Sequence, residues 1–253
     1  MVNPMNLSGR TIMVTGASSG LGRDTAILLS ELGASLVLVA RNEERLQETH
    51  AQLAPGKHTV LPFDVARHEK TLDWMTETVR VTGPLYGLVH SAGINLTKAI
   101  RFLEIEEMQE QLNVNLLSAL VFAKAFRQKN VRARPCASMV FMSSVSGLTA
   151  CPGLSAYGAS KAGITGMTRC LAEELARENI RVNCVAPSWI PTEMTAAVQT
   201  SLSPEQVDAI RDQHMLGLGR ARDVSNAIAF LLSDAARWTT GLTLPVDGGF
   251  TIR

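Results

Sequence analysis

A tyrosine and a lysine in the second half of the chain have side chains suited to acid–base chemistry. Tyr157 and Lys161 stand four residues apart in the segment YGASK, and residues at that spacing lie on one face of a helix. A free phenol has a pKa of about 10 and is a poor acid–base group at neutral pH. An adjacent ammonium favours the phenolate, so we expect Lys161 to lower the pKa of Tyr157. Two solvated side chains on one helix are the alternative.

A serine-rich turn lies thirteen residues before the tyrosine. The run MVFM at Met139–Met142 is typical of a buried strand, and the turn SSVSG follows it directly. Ser144 therefore stands at the carboxyl end of a predicted strand, where its hydroxyl can donate a hydrogen bond to a substrate oxygen as charge develops. No nearby set of histidine and aspartate is present, which disfavours a nucleophilic serine.

A glycine-rich segment near the N-terminus has the position of a phosphate-binding turn. The segment VTGASSGLGRD joins a predicted strand to a predicted helix, and the start of a helix offers unpaired N–H groups and partial positive charge to a phosphate. Its glycines predict a tight turn, a close approach to pyrophosphate and close helix packing, with added hydroxyl donors from Thr15 and the two serines. An ordinary Gly/Ser turn is the alternative. The predicted cofactor-binding residues are Gly16, Ser18, Ser19, Gly20, Leu21 and Gly22.

The end of the second predicted strand indicates which dinucleotide binds. A carboxylate there would accept hydrogen bonds from the ribose 2′-OH and favour NAD. The chain instead has Arg41, a planar cation that can pair with a 2′-phosphate, so we expect NADP(H) rather than NAD(H). An exposed arginine opening the next helix is the alternative. Asp64 and Val65 follow the third strand and are predicted to contact adenine, although an aspartate at such a place more often serves a turn.

Short apolar runs alternate with helical patterns along almost the whole chain. This alternation predicts an α/β protein with a single Rossmann domain over residues 1–253, in which a doubly wound parallel sheet of about seven strands carries helices on both faces. Strands are predicted at Thr11–Val14, Ser35–Ala40, His58–Phe63, Leu85–His90, Met139–Met142, Arg181–Val185 and Leu242–Val246. Helices are predicted at Leu21–Leu32, Glu43–Leu53, His68–Val81, Ile105–Lys129, Tyr157–Glu178 and Arg222–Leu232.

The long segment Pro191–Gly219 separates the last two predicted strands. It follows the carboxyl end of a strand, so we predict a substrate lid. Within it, SPEQ at Ser203–Gln206 predicts a helix start, with serine as the N-cap and proline in the first turn. The pocket beneath it is expected to be apolar, and its predicted lining residues are Ile94, Ser146, Leu154, Trp189, Met194 and Val198.

Composition narrows the function classes. The chain has 253 residues and a net charge of +1, which disfavours nucleic acid or an anionic membrane as the main partner. The sequence shows neither a signal-peptide pattern nor an apolar run long enough to span a bilayer. Its four cysteines are scattered, with no C-x-x-C pair, so we expect no metal site and a reducing, cytoplasmic setting.

Taken together, these motifs resemble the short-chain dehydrogenase/reductase family over essentially the whole chain. TGASSGLG is similar to its cofactor motif, and Ser144, Tyr157 and Lys161 match its catalytic residues in order and spacing. Asn115, in the segment NVNL, matches its fourth catalytic residue. The segment PSWIPT is similar to its Pro-Gly segment, which implies that Pro187, Ile190 and Thr192 hold the nicotinamide carboxamide.

The resemblance also implies a mechanism. NADPH would deliver hydride to a carbonyl carbon while Tyr157 donates a proton to its oxygen, which Ser144 positions. Lys161 would bind the nicotinamide ribose hydroxyls and Tyr157 would contact the cofactor. Asn115 is expected to hold a water that links Lys161 to solvent, or to satisfy a local backbone group instead.

Two departures from the family pattern stand out. The segment after the fourth strand is HSAG rather than Asn-Asn-Ala-Gly. Ser91, Ala92 and Gly93 are expected to let the cofactor approach, whereas His90 is expected to make a hydrogen bond between strands rather than to act in catalysis. Ser188 replaces the glycine of the Pro-Gly segment, which is expected to stiffen the backbone beside the nicotinamide.

The resemblance favours an NADP(H)-dependent reductase of a ketone, either a 3-oxoacyl thioester or another apolar carbonyl, because the C-terminal segment is similar to that of 3-oxoacyl-carrier-protein reductases. An NAD-dependent alcohol or hydroxysteroid dehydrogenase is one alternative, and an idle NADP-sensing scaffold is another. Family members also imply a homotetramer, or a homodimer, through the long helices and the last strand. Arg132, Arg134 and Arg177 are candidate contacts for an acidic carrier protein, with solvated surface as the alternative.

Overall fold

Seven parallel strands form one sheet at the centre of the molecule. A computed structural model describes residues 3–199 and 203–252, and for 197–199 it describes the backbone alone. The strand order is β3-β2-β1-β4-β5-β6-β7, as expected for a doubly wound Rossmann fold. The strands are β1 Thr11–Thr15, β2 Ser35–Ala40, β3 His58–Pro62, β4 Gly87–His90, β5 Ala137–Met142, β6 Ile180–Pro187 and β7 Thr243–Val246.

Helices cover both faces of the sheet, and the side chains of each strand alternate between two cores. Ile12 and Val14 of β1 pack with Leu29 and Ile228 on one face. Met13 packs with Phe122 and other side chains on the opposite face. The helices are α1 Gly20–Glu31, α2 Glu43–His50, α3 Thr71–Thr82, α4 Ile105–Leu112, α5 Ser118–Phe126, α6 Ser155–Leu175, α7 Glu193–Gln199, α8 Pro204–Asp212 and α9 Ala221–Leu232.

The site-bearing segments all lie at the carboxyl edge of the sheet. β1 pairs with β2 on one side and with β4 on the other, so the chain reverses its winding direction between β1 and β4. In open parallel sheets, ligands bind in the crevice at such a reversal. The topology therefore brings the turn after β1 beside the turns that follow β4 and β5.

The predicted helix Ile105–Lys129 is not continuous. A wide π-helical turn, Asn113–Leu117, separates α4 from α5. The pattern of apolar residues does not predict this turn, because the helix continues on both sides of it. The predicted helix His68–Val81 likewise begins with a short 3₁₀ turn at His68–Lys70 before α3. β4 is shorter than predicted because Leu85 pairs only with Arg132, outside the strand.

The described part of the predicted lid, Pro191–Gly219, contains α7 and α8. The predicted start of α8 is confirmed, since the Ser203 hydroxyl accepts a hydrogen bond from the Gln206 N–H and the Ser203 N–H donates one to the side-chain oxygen of Gln206. The side chain of Val198, a predicted pocket residue, lies outside the described residues. Closure of this segment over substrate stays a prediction.

No helix among residues 3–199 and 203–252 is long and apolar enough to cross a bilayer.

Candidate active site

A cavity of about 1200 Å³ opens at the carboxyl edge of the sheet. Its walls contain most of the residues that the sequence pattern predicts for cofactor and substrate chemistry. Among the described residues, Thr15 and Asn115 are exceptions, because both are fully buried behind the wall. The lining residues among those predicted are Gly16, Ser18, Ser19, Gly20, Leu21, Gly22, Arg41, Asp64, Val65, Ser91, Ala92, Gly93, Ser144, Tyr157, Lys161, Pro187, Ile190 and Thr192.

The glycine segment forms a turn that only glycine can make at two places. Gly16 has φ +68°, and a Cβ there would lie 2.8 Å from the backbone N of Ala92. A Cβ on Gly22 would lie 2.2 Å from the carbonyl oxygen of Gly16, so the first turn of α1 packs directly onto the loop. This arrangement fits a dinucleotide, whose phosphates approach backbone N–H groups at a helix start.

Thr15 does not play the predicted part. Its side chain is fully buried and accepts hydrogen bonds from the backbone N–H groups of Ser91 and Ala92, at 3.2 and 3.1 Å. The hydroxyl joins the ends of β1 and β4 and is not a cofactor donor, because the strand pairing aims it at the neighbouring turn. Arg23 was not predicted, and it braces the segment by donating to the Ser18 carbonyl at 2.6 Å.

At the adenosine end, the two residues predicted to select the nucleotide line the same wall. Arg41 is exposed to the cavity, and none of the described carboxylates forms an ion pair with it. One carboxylate oxygen of Asp64 accepts a hydrogen bond from the Ala66 N–H at 3.0 Å, which is the turn role named as the alternative. The predicted contact of Asp64 with adenine stays a prediction.

At the opposite end, Ser144 follows β5 and Tyr157 stands in the first turn of α6. Ser144 accepts a hydrogen bond from the Ser146 N–H at 3.2 Å, which fixes the turn. The described part of the wall also contains five of the predicted substrate residues, namely Ile94, Ser146, Leu154, Trp189 and Met194. Neutral polar side chains, including Thr149, Gln213 and Thr251, join them, so the expectation of an apolar pocket is only partly met.

The predicted lowering of the Tyr157 pKa is wrong for this structure. Burial raises the pKa of Tyr157, and a hydrogen bond with Ser144 acts in the opposite direction. Lys161 lies 5.5 Å from the centre of the Tyr157 ring and donates to the Met142 carbonyl at 2.9 Å. Burial also lowers the pKa of Lys161 to about 8. Spacing along a helix could show that the two side chains are neighbours, but not that burial raises the pKa of the phenol.

Asn115 lies in the π-helical turn and binds backbone from the loop after β4. Its side-chain oxygen accepts from the Ile94 N–H at 2.8 Å, and its NH₂ group donates to the Ile94 carbonyl at 2.9 Å and to Ser160 at 3.1 Å. Asn115 therefore does satisfy backbone groups, but these belong to Ile94, 21 residues away, and not to a local segment. The side chain holds the loop that carries Gly93 against Lys161; a water relay stays a prediction.

His90 does not make the hydrogen bond between strands that the sequence predicts. Its Nε2 lies 3.1 Å from the Ser118 hydroxyl on α5, and that hydroxyl donates to the Val114 carbonyl. Burial, with a smaller contribution from the Lys161 charge, lowers the pKa of His90 to about 3. The imidazole is therefore a neutral packing group beneath the site.

Ser188, which replaces a family glycine, binds a residue at the end of the predicted lid. Its hydroxyl lies 2.8 Å from Nε2 of His214, whose Nδ1 lies 2.7 Å from the Ile210 carbonyl. Since a carbonyl only accepts, Nδ1 carries the proton and Nε2 accepts from Ser188. The His214 ring stacks on Phe250. No local sequence signal could have identified His214, because its partners come from two other segments.

The predicted carrier-protein contacts divide into two groups. Arg132 is buried and pairs with Glu178 at 2.9 Å, so neither a carrier contact nor solvated surface describes it. The Glu178 carboxylate, which also binds Arg127, compensates the buried charge. Arg134 and Arg177 are exposed.

Comparison with known proteins identifies the family to which the chain belongs. The family described as Enoyl-(Acyl carrier protein) reductase matches residues 16–251. The chain belongs to the short-chain dehydrogenase/reductase family. Such enzymes are oxidoreductases that use NAD(P), which agrees with the cavity described above.

Relatives within the short-chain dehydrogenase/reductase family differ in their named substrates. The chain is 33% identical to a 3-oxoacyl-[acyl-carrier-protein] reductase of Thermotoga maritima, over 98% of this chain and all of that one. It is also 33% identical to an L-xylulose reductase of Caenorhabditis elegans, over 97% of both chains. A structure from Agrobacterium tumefaciens with bound NADP, provisionally named 2-deoxy-d-gluconate 3-dehydrogenase, has a TM-score of 0.87, 29% identity and full coverage of both chains.

Among the residues that the structure describes, no cluster of three or more histidine, cysteine, aspartate or glutamate side chains could hold a metal ion.

Proposed function

We propose that this protein is an NADP(H)-dependent reductase that converts a neutral ketone into a secondary alcohol. One observation carries the proposal: Ser144, Tyr157 and Lys161 line the same cavity whose other end holds the glycine segment and Arg41. A hydride donor bound along this cavity would end beside an acid. The same geometry serves alcohol oxidation in reverse.

The residues of the chain divide the work at the substrate end. NADPH, when bound, supplies a hydride to the carbonyl carbon. Tyr157 donates its proton to the carbonyl oxygen, and Ser144 donates a hydrogen bond that steadies that oxygen as charge develops. A raised phenol pKa keeps Tyr157 protonated at neutral pH, which suits an acid in reduction. Lys161, which lines the same cavity, would bind the nicotinamide ribose hydroxyls.

The choice of NADP(H) over NAD(H) rests on the charge at the end of β2. Arg41 faces the cavity at the place where a carboxylate would select NAD. A guanidinium can bind a phosphate through two parallel hydrogen bonds. The relative from Agrobacterium tumefaciens with bound NADP supports this assignment. Comparison of catalytic efficiency with NADPH and with NADH tests it, and a clear preference for NADH would contradict it.

The charge of the walls favours a neutral substrate. Among the described residues that line the cavity, the arginines and lysines are Arg41, Arg45 and Lys161, and all three belong to the cofactor end or the catalytic group. A free carboxylate or phosphate on the substrate would therefore find no fixed cation. A 3-oxoacyl thioester and a ketose both meet this condition, and the mixed apolar and neutral polar walls accept either.

A carbonyl panel tests the reaction. Purified protein is mixed with NADPH and with 3-oxoacyl thioesters, ketoses, simple apolar ketones or 2-oxo acids, and the absorbance of NADPH is followed. We expect turnover with a neutral ketone and little with the acids. A protein that binds NADPH yet oxidises none across the panel would instead be the idle NADP-sensing scaffold, which the presence of Tyr157 and Lys161 disfavours.

We propose that the chain forms a homotetramer in the cytoplasm. Large apolar side chains are exposed in two parts of the chain, at Leu112, Leu117 and Leu120 and at Trp238 and Leu242. Exposed apolar residues in two separate parts of the sequence support a tetramer with two kinds of contact. Four free cysteines among the described residues fit a reducing compartment. Light scattering of the purified protein tests the subunit number.

A further inference from the structure

An ion pair crosses the cofactor end of the cavity. The guanidinium of Arg45 on α2 binds the carboxylate of Glu193 on α7, and 148 residues separate them in the sequence. Both side chains line the cavity. The pair therefore joins the wall that follows β2, where nucleotide type is read, to the first residue of the predicted lid helix.

The start of α7 lies directly over the phosphate-binding turn. A Cβ on Gly20 would lie 3.5 Å from the Cβ of Thr192, and Glu193 is the next residue. The carboxylate thus stands close to the place where cofactor phosphates bind.

Arg41, which precedes α2, and Arg45, in its first turn, both line the cavity but differ in their partners. Arg41 is not paired with any carboxylate that the structure describes, whereas Arg45 is held by Glu193. The backbone of Arg45 is fixed, because the side chain of Asn42 accepts a hydrogen bond from its N–H at 2.9 Å. Its guanidinium is only partly buried and can turn towards Arg41. A 2′-phosphate offers more charge and more acceptor oxygens than a carboxylate.

We propose that Arg45 is a second ligand of the 2′-phosphate and that Glu193 holds it until NADP(H) binds. Transfer of Arg45 from Glu193 to the phosphate breaks the contact between α2 and α7, which frees the start of the lid helix. NAD(H) lacks this phosphate and leaves the ion pair in place. The identity of the nucleotide is thereby transmitted to the segment over the substrate. This inference rests on the proposed NADP(H) dependence.

Equilibrium binding of NADPH and NADH to single variants tests the exchange. Glu193→Gln removes the competitor, so NADPH should bind about two- to fivefold more tightly, the range of an exposed ion pair, with NADH unchanged. Arg45→Gln should weaken NADPH binding by roughly fivefold or more, again with NADH unchanged. Glu77→Gln, which breaks an exposed Arg80–Glu77 pair that does not line the cavity, is the matched control and should change neither affinity.

The double variant and hydrogen exchange complete the test. In an Arg45→Gln background, Glu193→Gln should no longer tighten NADPH binding. In the wild type, the backbone amides of α7 should exchange hydrogen faster when NADPH is bound than when NADH is bound. Equal tightening for NADPH and NADH in Glu193→Gln would mean simple repulsion and would overturn the proposal, as would unchanged affinities. If wild-type protein itself prefers NADH, the proposed cofactor fails; if it prefers NADPH and neither variant changes the ratio of the NADPH and NADH affinities, only the exchange fails.

Discussion

The cofactor end and the substrate end of the cavity are built in different ways. At the cofactor end, the backbone forms the wall, and Gly16 and Gly22 are in contact with neighbouring backbone that leaves no room for a side chain. At the substrate end, side chains form the wall, and pairs such as Ser188 and His214 join separate segments. The glycine turn thus depends on a few consecutive residues, whereas the wall at the substrate end depends on contacts between residues that are distant in the sequence.

The largest effect should come from Tyr157→Phe, which tests whether the two ends are separable. Loss of the phenol removes the proton donor, so turnover should fall by about 10²–10⁴-fold, while NADPH binding stays nearly intact because the glycine turn is untouched. Stopped-flow turnover and fluorescence titration of NADPH measure the two quantities. Full activity in this variant would refute the assignment of the acid.

The pair of changes Ala40→Asp and Arg41→Ile tests the cofactor end alone. Loss of a charged hydrogen-bond partner should reduce catalytic efficiency with NADPH by about 10- to 100-fold, and the new carboxylate should improve efficiency with NADH. The kcat for a given ketone should change little at saturating cofactor. Arg211→Ile, which removes an exposed arginine that does not line the cavity, serves as the control. If the ratio of the catalytic efficiencies with NADPH and NADH is unchanged, Arg41 does not bind the 2′-phosphate.

Lys161 gives a prediction for stability against pH. Its pKa falls from 10.5 to about 8 on folding, so between these values the unfolded chain binds more protons and the free energy of unfolding rises with pH. The gain from pH 8 to pH 10 should be about 2 kcal/mol, and it should be absent in Lys161→Met. Urea unfolding of both proteins at pH 8, 9 and 10 measures it; parallel profiles would show that burial does not perturb this lysine.

The smallest effect should come from Ser188, which tests the substrate end. Ser188→Ala leaves Nε2 of the buried His214 without its donor, so the free energy of unfolding should fall by about 1 kcal/mol. The KM for the ketone should change more than kcat, because His214 lines the substrate end and does not touch the reacting atoms. Ser188→Gly restores the family residue and separates loss of the hydroxyl from gain of backbone freedom. Identical stability of Ser188→Ala and wild type would show that the hydrogen bond contributes nothing.

Local patterns predicted the fold and indicated the candidate reacting groups. The alternation of strand and helix patterns predicted a parallel sheet, whereas the turn after β1 and the segment YGASK are weak signals alone and gained their interpretation from their order and their combination with Ser144. The structure then brings nearly all of these residues into one cavity. Such features are predictable because each depends on a few consecutive residues and on which edge of the sheet they reach.

Features that depend on burial or on distant partners were beyond the sequence. The pKa of Tyr157 is raised because its surroundings exclude water, and the burial of Arg132 follows from its pairing with Glu178. Neither the burial of Tyr157 nor the pairing of Arg132 can be predicted from the residues next to them in the sequence. The same holds for Arg45 and Glu193, whose contact requires that α2 and α7 meet across the cavity.

The wide turn Asn113–Leu117 has a consequence for chain length as well as for residue type. It holds one residue more than an α-helical turn, so deleting one residue would allow a continuous helix. The extra residue widens this turn instead of advancing the helix, so after the deletion α5 would keep the same face towards the core. Phe122 and Phe126, both fully buried, would stay in place. Deletion of a residue within α5 would instead turn the residues after it by about 100°, so a single-residue deletion that spares Asn115 should be tolerated better in this turn than within α5.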